Sequence, residues 1–107
     1  MQQLSPPGLK SWLADGDRAA PYLLDVREPW EYDLCHIEGA EPIPMASIPA
    51  RQGELPKERD IIVMCHHGGR SQQVAAFLEH AGFSRVHNLQ GGIHQWALQV
   101  DPAMRRY

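Results

Sequence analysis

The sequence predicts an α/β domain in which a mostly parallel central sheet carries helices on both faces. Two observations lead there. Short apolar runs bounded by turn-forming residues, clearest at Ile61 to Met64 with its β-branched side chains, read as buried strands. Between that run and the next, Arg85 to Leu89, the residues Val74, Phe77, Leu78 and Ala81 recur at helical spacing. A strand, helix, strand connection of this length implies a parallel crossover, which places the helix over a face of the sheet.

The elements follow in order. Ser5, Pro6 and Pro7 make a helix start, and Leu9, Trp12 and Leu13 then fall at the i, i+3, i+4 spacing of one buried face, stopping near Gly16. Tyr22 to Val26 is a short apolar run after Pro21 and reads as a buried strand, followed by a polar loop or helical turn over the charged REPWEY. Ile61 to Met64 is the second strand. Ser71 to Ala81 is a helix, with Gly82 as its C-terminal stop, and Arg85 to Leu89 is the third strand. Gly91 and Gly92 open a last helix carrying Ile93, Trp96 and Ala97, before a polar stretch ending MRRY.

With 107 residues and 43% hydrophobic content the chain suits one modest core, so residues 1–107 are expected to form a single domain. The formal net charge of -3 gives no basic footprint for nucleic acid or anionic lipid, and neither is expected as a partner. The N-terminal stretch lacks a basic segment followed by an apolar one, and no apolar run approaches the roughly 20 residues that cross a bilayer. Two cysteines argue for thiol chemistry or packing rather than a disulfide framework, and the cytoplasm is the expected location.

The most informative stretch is CHHGGRS, Cys65 to Ser71. Cys65 ends a buried strand, and the loop after it enters a helix at about Ser71. In open α/β sheets ligands bind beyond the carboxyl ends of strands, where loop amides and a helix N-terminus offer unpaired N–H donors. Such donors favour a thiolate over a thiol, and Arg70 adds a positive charge, so Cys65 reads as a nucleophile. Gly68 and Gly69 suit a loop that must turn its N–H groups inward around an anion. The plainer reading makes Cys65 a small apolar residue closing a strand, and the glycines a tight turn. Cys35, in YDLCHIEG, has no glycine-rich loop or helix start after it and reads as an inert thiol.

Six histidines and two cysteines raise the question of a metal, but the spacings typical of zinc sites are missing and no metal is expected. His66 and His67 read instead as side chains at the pocket mouth, where partial protonation would attract an anion.

Four segments in order resemble motifs of one known family, the single-domain rhodaneses: LDVREPWEY after an early strand, HIEGAEPIP, CHHGGRS as the active-site loop, and LQGGIHQW as the closing segment. The resemblance runs from Leu24 to Trp96. It implies the three-layer rhodanese-like fold and sulfurtransferase activity of the thiosulfate sulfurtransferase type. By that resemblance the Cys65 thiolate takes the outer sulfur of a donor such as thiosulfate and holds it as a persulfide. A thiophilic acceptor, cyanide or a cellular thiol, then removes it. No cofactor is implied, since the sulfur travels on the protein.

By carry-over from the family's loop pattern, the backbone amides from His66 to Arg70 would cradle the transferred sulfur or the donor's oxyanion. Arg70 would bind the anion or brace the loop. Ser71 would cap the helix or contact Cys65. Asp25 and Arg27 align with the family's D-V-R, where structural ion pairing is expected, with assistance of Arg27 to an anionic donor as the alternative. His36, Gly39, Gly91, Gly92 and Trp96 match motif positions whose simplest reading is structural.

The rival reading closest in chemistry is a phosphatase or arsenate reductase. Their loops also close on an arginine, but the related phosphatases use five residues between cysteine and arginine, where CHHGGR has four. Two other readings keep the fold: a non-catalytic rhodanese-like binding module, and a persulfide carrier that passes sulfur to a partner protein in a cofactor or tRNA thiolation pathway. The donor, the acceptor, the pathway and the oligomeric state are not legible in the sequence.

Overall fold

The computed structural model describes residues 1–107. Five strands form one sheet in which every pairing is parallel: β1 (Gln2–Leu4), β2 (Tyr22–Asp25), β3 (Glu41–Pro42), β4 (Ile61–Met64) and β5 (Val86–Leu89), in the spatial order β1-β5-β4-β2-β3. The helices are α1 (Pro6–Ala14), α2 (Pro29–Leu34), α3 (Ile48–Arg51), α4 (Gly69–His80) and α5 (Gly92–Gln99).

The central strand β4 explains the layering. Its side chains alternate between faces, so Ile61 and Val63, and Cys65 just beyond, join the core beneath α3 and α4. Ile62 and Met64 join the core shared with α1 and α5. All four residues of β4 are buried, and each large apolar side chain so placed contributes about 1.5–3 kcal/mol over its exposed state. Leu24, Val26, Val74 and Leu78 complete the first core; Leu9, Trp12, Ile93 and Trp96 complete the second.

Two edge strands were not expected from the sequence. β1 is polar and β3 has two residues, both exposed. An edge strand pairs on one side only and need bury neither face, so no apolar alternation marks it. REPWEY resolves as α2, started by Glu28 and Glu31 in a reciprocal capping box with Pro29 in the first turn. Helix α4 begins two residues before Ser71, because Gly68 with φ of +105° turns the chain into it. Two residues placed on buried faces are open to solvent: Leu13 is 42% exposed and Phe77 36%.

Candidate active site

Cys65 sits at the end of the central strand, 1% exposed, with its sulfur facing the start of α4. Two backbone amides donate to Sγ: Gly68 N at 3.1 Å and Ser71 N at 3.3 Å. The thiol donates to Ser71 Oγ at 3.4 Å, and the Ser71 hydroxyl bonds in turn to Asn88 Oδ1 and Gly68 O. The two amides are donors aimed at the sulfur, whereas Ser71 Oγ accepts from the thiol and turns its own proton toward Asn88 Oδ1 and Gly68 O.

The loop is held from outside by α5. Ile93 N donates to Cys65 O at 2.9 Å and His94 N to His66 O at 3.0 Å, so the first-turn amides of one helix take the carbonyls that flank the thiol. With those carbonyls directed at α5, the next amides are free to face the sulfur. The approach is close: a Cβ on Gly92 would lie 2.5 Å from both carbonyl oxygens. Gly69 is different, since its φ is not positive and a Cβ there would meet nothing within 4 Å.

Around the loop runs a chain of charges. Arg27, 1% exposed, makes a forked pair with Asp25 (Nε to Oδ1 2.9 Å, Nη2 to Oδ2 2.7 Å). It also donates to Cys35 O at 2.7 Å, Glu31 O at 3.2 Å and Tyr107 Oη at 2.9 Å. Its donors are thus spent inside the protein, which is the geometry of a structural ion pair. Arg70 makes a second forked pair with Glu31, Nη1 to Oε1 at 2.7 Å and Nη2 to Oε2 at 2.9 Å. Both of its terminal nitrogens brace the loop against α2. His66 and His67 lie with His94 in a group of rings, centroids 3.9 Å apart for the first pair and 4.9 Å for His67 and His94.

A five-stranded parallel sheet with a cysteine loop between its central strand and a helix can be compared with known folds. The profile of the rhodanese-like domain matches residues 5–99. The chain belongs to the rhodanese-like family. It is 42% identical over 106 residues to the probable adenylyltransferase/sulfurtransferase MoeZ of Mycobacterium tuberculosis, a match that covers 97% of this chain and 26% of MoeZ. It is 39% identical to a sulfurtransferase of Allochromatium vinosum (91% and 89% covered) and 34% identical to the thiosulfate sulfurtransferase GlpE of Tolumonas auensis (69% and 70% covered). The crystal structure of a rhodanese-like domain protein from Staphylococcus aureus superposes with a TM-score of 0.84 at 28% identity, covering 100% of this chain and 99% of that one.

Within this rhodanese-like domain, His66, His67, Gly68, Gly69, Arg70 and Ser71 form the loop and helix start beside Cys65, and Asp25 and Arg27 stand at the end of the adjacent strand. Ser71 contacts the sulfur, while Gly68 occupies the helix cap. Cys35 is half-buried and unpaired, its sulfur 3.9 Å from Arg27 Nη1. His36 stacks on Tyr32 and bonds its carbonyl, and Trp96 lies in the core.

Four residues of the site went unnoticed in the sequence: Glu31, Asn88, His94 and Tyr107. Two left a signal: Glu31, as the second acid of the capping box in EPWE, and Asn88, as a polar residue in a short strand.

Glu31 is the hub. It is 4% exposed and accepts from Arg70 twice, from Glu28 N at 2.9 Å and from Tyr107 Oη at 2.7 Å. The Arg70 guanidinium foremost, then the Glu28 amide and the Tyr107 hydroxyl, outweigh burial and hold its carboxyl down at about 2. A carboxyl depressed on folding stabilises the fold above its ordinary range, and that stabilisation is lost as pH falls toward 2. Because Arg70 is partly exposed, we expect this to be worth about 2 kcal/mol. Urea unfolding at pH 5 and at low pH should show wild type losing that increment, and Glu31→Gln lacking it throughout.

Proposed function

We propose that this domain is a sulfurtransferase carrying sulfane sulfur on Cys65. The observation that carries the reading is the convergence of the Gly68 and Ser71 amides on a single sulfur atom at the end of the central strand. In the first half-reaction the Cys65 thiolate attacks the outer sulfur of thiosulfate. The new S–S bond forms as the S–S bond of the donor breaks, and sulfite leaves with the electron pair. In the second half-reaction an acceptor such as cyanide attacks the outer sulfur of the persulfide, giving thiocyanate and restoring the thiolate. The charge on the outer sulfur falls where the loop amides and the helix start offer their donors.

The loop supports one sulfur atom better than a tetrahedral phosphate. Arg70, the residue a phosphatase would turn onto the phosphate, is forked onto Glu31. Its charge is thereby balanced, as Asp25 balances Arg27. An anionic donor then meets amides rather than a free cation, and thiosulfate binding is expected to be modest. The names of the relatives support the same chemistry, thiosulfate for GlpE among them. Passage of the sulfur to a partner protein, as a carrier, uses the same persulfide. Two unpaired cysteines suit a reducing compartment such as the cytoplasm.

The test is the intact mass of the reduced protein after brief exposure to thiosulfate, with the modified residue found by peptide mapping. A gain of one sulfur on Cys65, discharged by cyanide, is the expected result. No gain on a folded protein would overturn thiosulfate as the donor. No gain from a small-molecule persulfide either would overturn sulfur transfer itself.

Burial, and then the neighbouring His67, push the His66 imidazole below its ordinary value, so it carries less charge near neutral pH than a free imidazole does. Any help from its charge to an anionic donor therefore appears only in more acid solution. The ratio of kcat/KM for thiosulfate between wild type and His66→Ala is expected to stay flat from about pH 8 to about pH 7. A rise of that ratio within this range would show that His66 is protonated there.

A further inference from the structure

Cys65 is 1% exposed, yet a nucleophile must be reached. What covers it decides which molecules enter. The loop amides lie at the sulfur and α5 lies behind them. The mouth of the loop is the gap between its first residue, His66, and its last, Arg70.

Tyr107 stacks on one rim of that mouth and reaches the other through Glu31. Its ring stacks on His66, centroids 3.8 Å apart and planes within 8°. Its hydroxyl donates to Glu31 Oε2 at 2.7 Å, the carboxylate that Arg70 grips, and accepts from Arg27 Nη1 at 2.9 Å. Trp30, which is 62% exposed, packs against the ring in a T-shaped arrangement. Arg105, Arg106 and Tyr107 make no backbone-to-backbone hydrogen bond, the last one in this stretch being Met104 N to Asp101 O. The Tyr107 side chain fastens this stretch to the loop and to α2. A stretch held by side-chain contacts opens at lower cost than a strand or a helix.

We propose that Tyr107 is a specificity-determining residue of the Cys65 site, closing the mouth of the loop and setting the size of sulfur donor or acceptor that reaches the thiol. This rests on the sulfur-transfer reading of Cys65. Small donors pass beside the ring; bulky ones require the hydroxyl to leave Glu31 and Arg27 and the ring to leave His66. The hydroxyl is the latch and the ring is the cover. Burial first, and the Glu31 carboxylate with it, push the Tyr107 phenol up to about 12 against the pull of Arg27, so the latch stays protonated at working pH.

The experiment compares two alkylating reagents of the same chemistry and different size, iodoacetamide and a fluorescein-linked iodoacetamide. Their rates at Cys65 are followed by peptide mass in wild type, Tyr107→Phe and Tyr107→Ala, with circular dichroism to confirm the fold. The ratio of the bulky to the small rate is expected to rise about tenfold in Tyr107→Ala, with Tyr107→Phe in between because it keeps the ring and loses the latch. General loosening of the fold would raise both rates together and leave the ratio unchanged.

An unchanged ratio across the three proteins, or no labelling of Cys65 in any of them, would overturn the proposal. Labelling of Tyr107→Ala alone would support it. The alkylation needs no persulfide, so a wild-type protein that gains no sulfur while its ratio responds to Tyr107 would overturn the functional reading and leave the cover standing. In turnover, Tyr107→Ala is expected to favour glutathione persulfide over thiosulfate relative to wild type.

Discussion

Cys65→Ser is expected to lower kcat/KM for sulfur transfer by about ten-thousand-fold or more while leaving the fold intact. Oxygen replaces sulfur in the same cradle, where it can accept the Gly68 and Ser71 amides and keep its contact to Ser71 Oγ. Stability should therefore change by no more than about 1 kcal/mol. The chemistry does not survive. A serine hydroxyl ionises far above neutral pH, is a poor nucleophile toward sulfane sulfur, and cannot hold the sulfur as a persulfide. Steady-state thiocyanate formation and thermal unfolding of the same preparation separate the two effects. Activity within tenfold of wild type would remove Cys65 from the mechanism.

Gly92→Ala is expected to be the most damaging single methyl in the molecule. Gly92 has φ of +61°, a region that costs an L-residue about 1–2 kcal/mol, and the added Cβ would lie 2.5 Å from the carbonyl oxygens of Cys65 and His66. These are backbone atoms on both sides of the contact, so no side chain can swing aside. Either α5 withdraws, breaking the Ile93 and His94 hydrogen bonds, or the loop shifts and its amides leave the sulfur. We expect a loss of about 4 kcal/mol and a large fall in activity.

Gly69→Ala is the control, because its Cβ would meet nothing and it stands in the first turn of α4. Its stability should stay within about 1 kcal/mol of wild type. Equal loss in the two variants, measured by urea unfolding, would show that the close approach of α5 to the loop does not matter.

Much of this was legible along the chain. β4 announced itself through four consecutive apolar residues, because a central parallel strand is buried on both faces. The helical period of Val74 and Leu78 marked α4, and the glycines after Cys65 marked a tight turn, since both are local requirements of backbone and burial. The ion pair of Asp25 and Arg27 was also within reach, being two residues apart at a strand end.

The rest depended on residues far apart in sequence. Arg70 is 39 residues from Glu31, and Tyr107 is 76 from it. Nothing local in either partner indicates the other. Whether Arg70 faces an anion or braces the loop was open in the sequence, and it is the packing of α2 beside the loop that turns both of its nitrogens onto Glu31. Gly92 read as a structural glycine, but its reason lay in the close approach of α5 to the two carbonyls beside Cys65.

The sequence by itself determined the layered fold and the thiol with its loop, because burial period and turn chemistry act between near neighbours. The tertiary structure decided the direction of the amides, the balancing of both arginines and the stacking of Tyr107 on His66. Those are long-range contacts, set only when α2, α5 and the stretch after it pack around the end of β4.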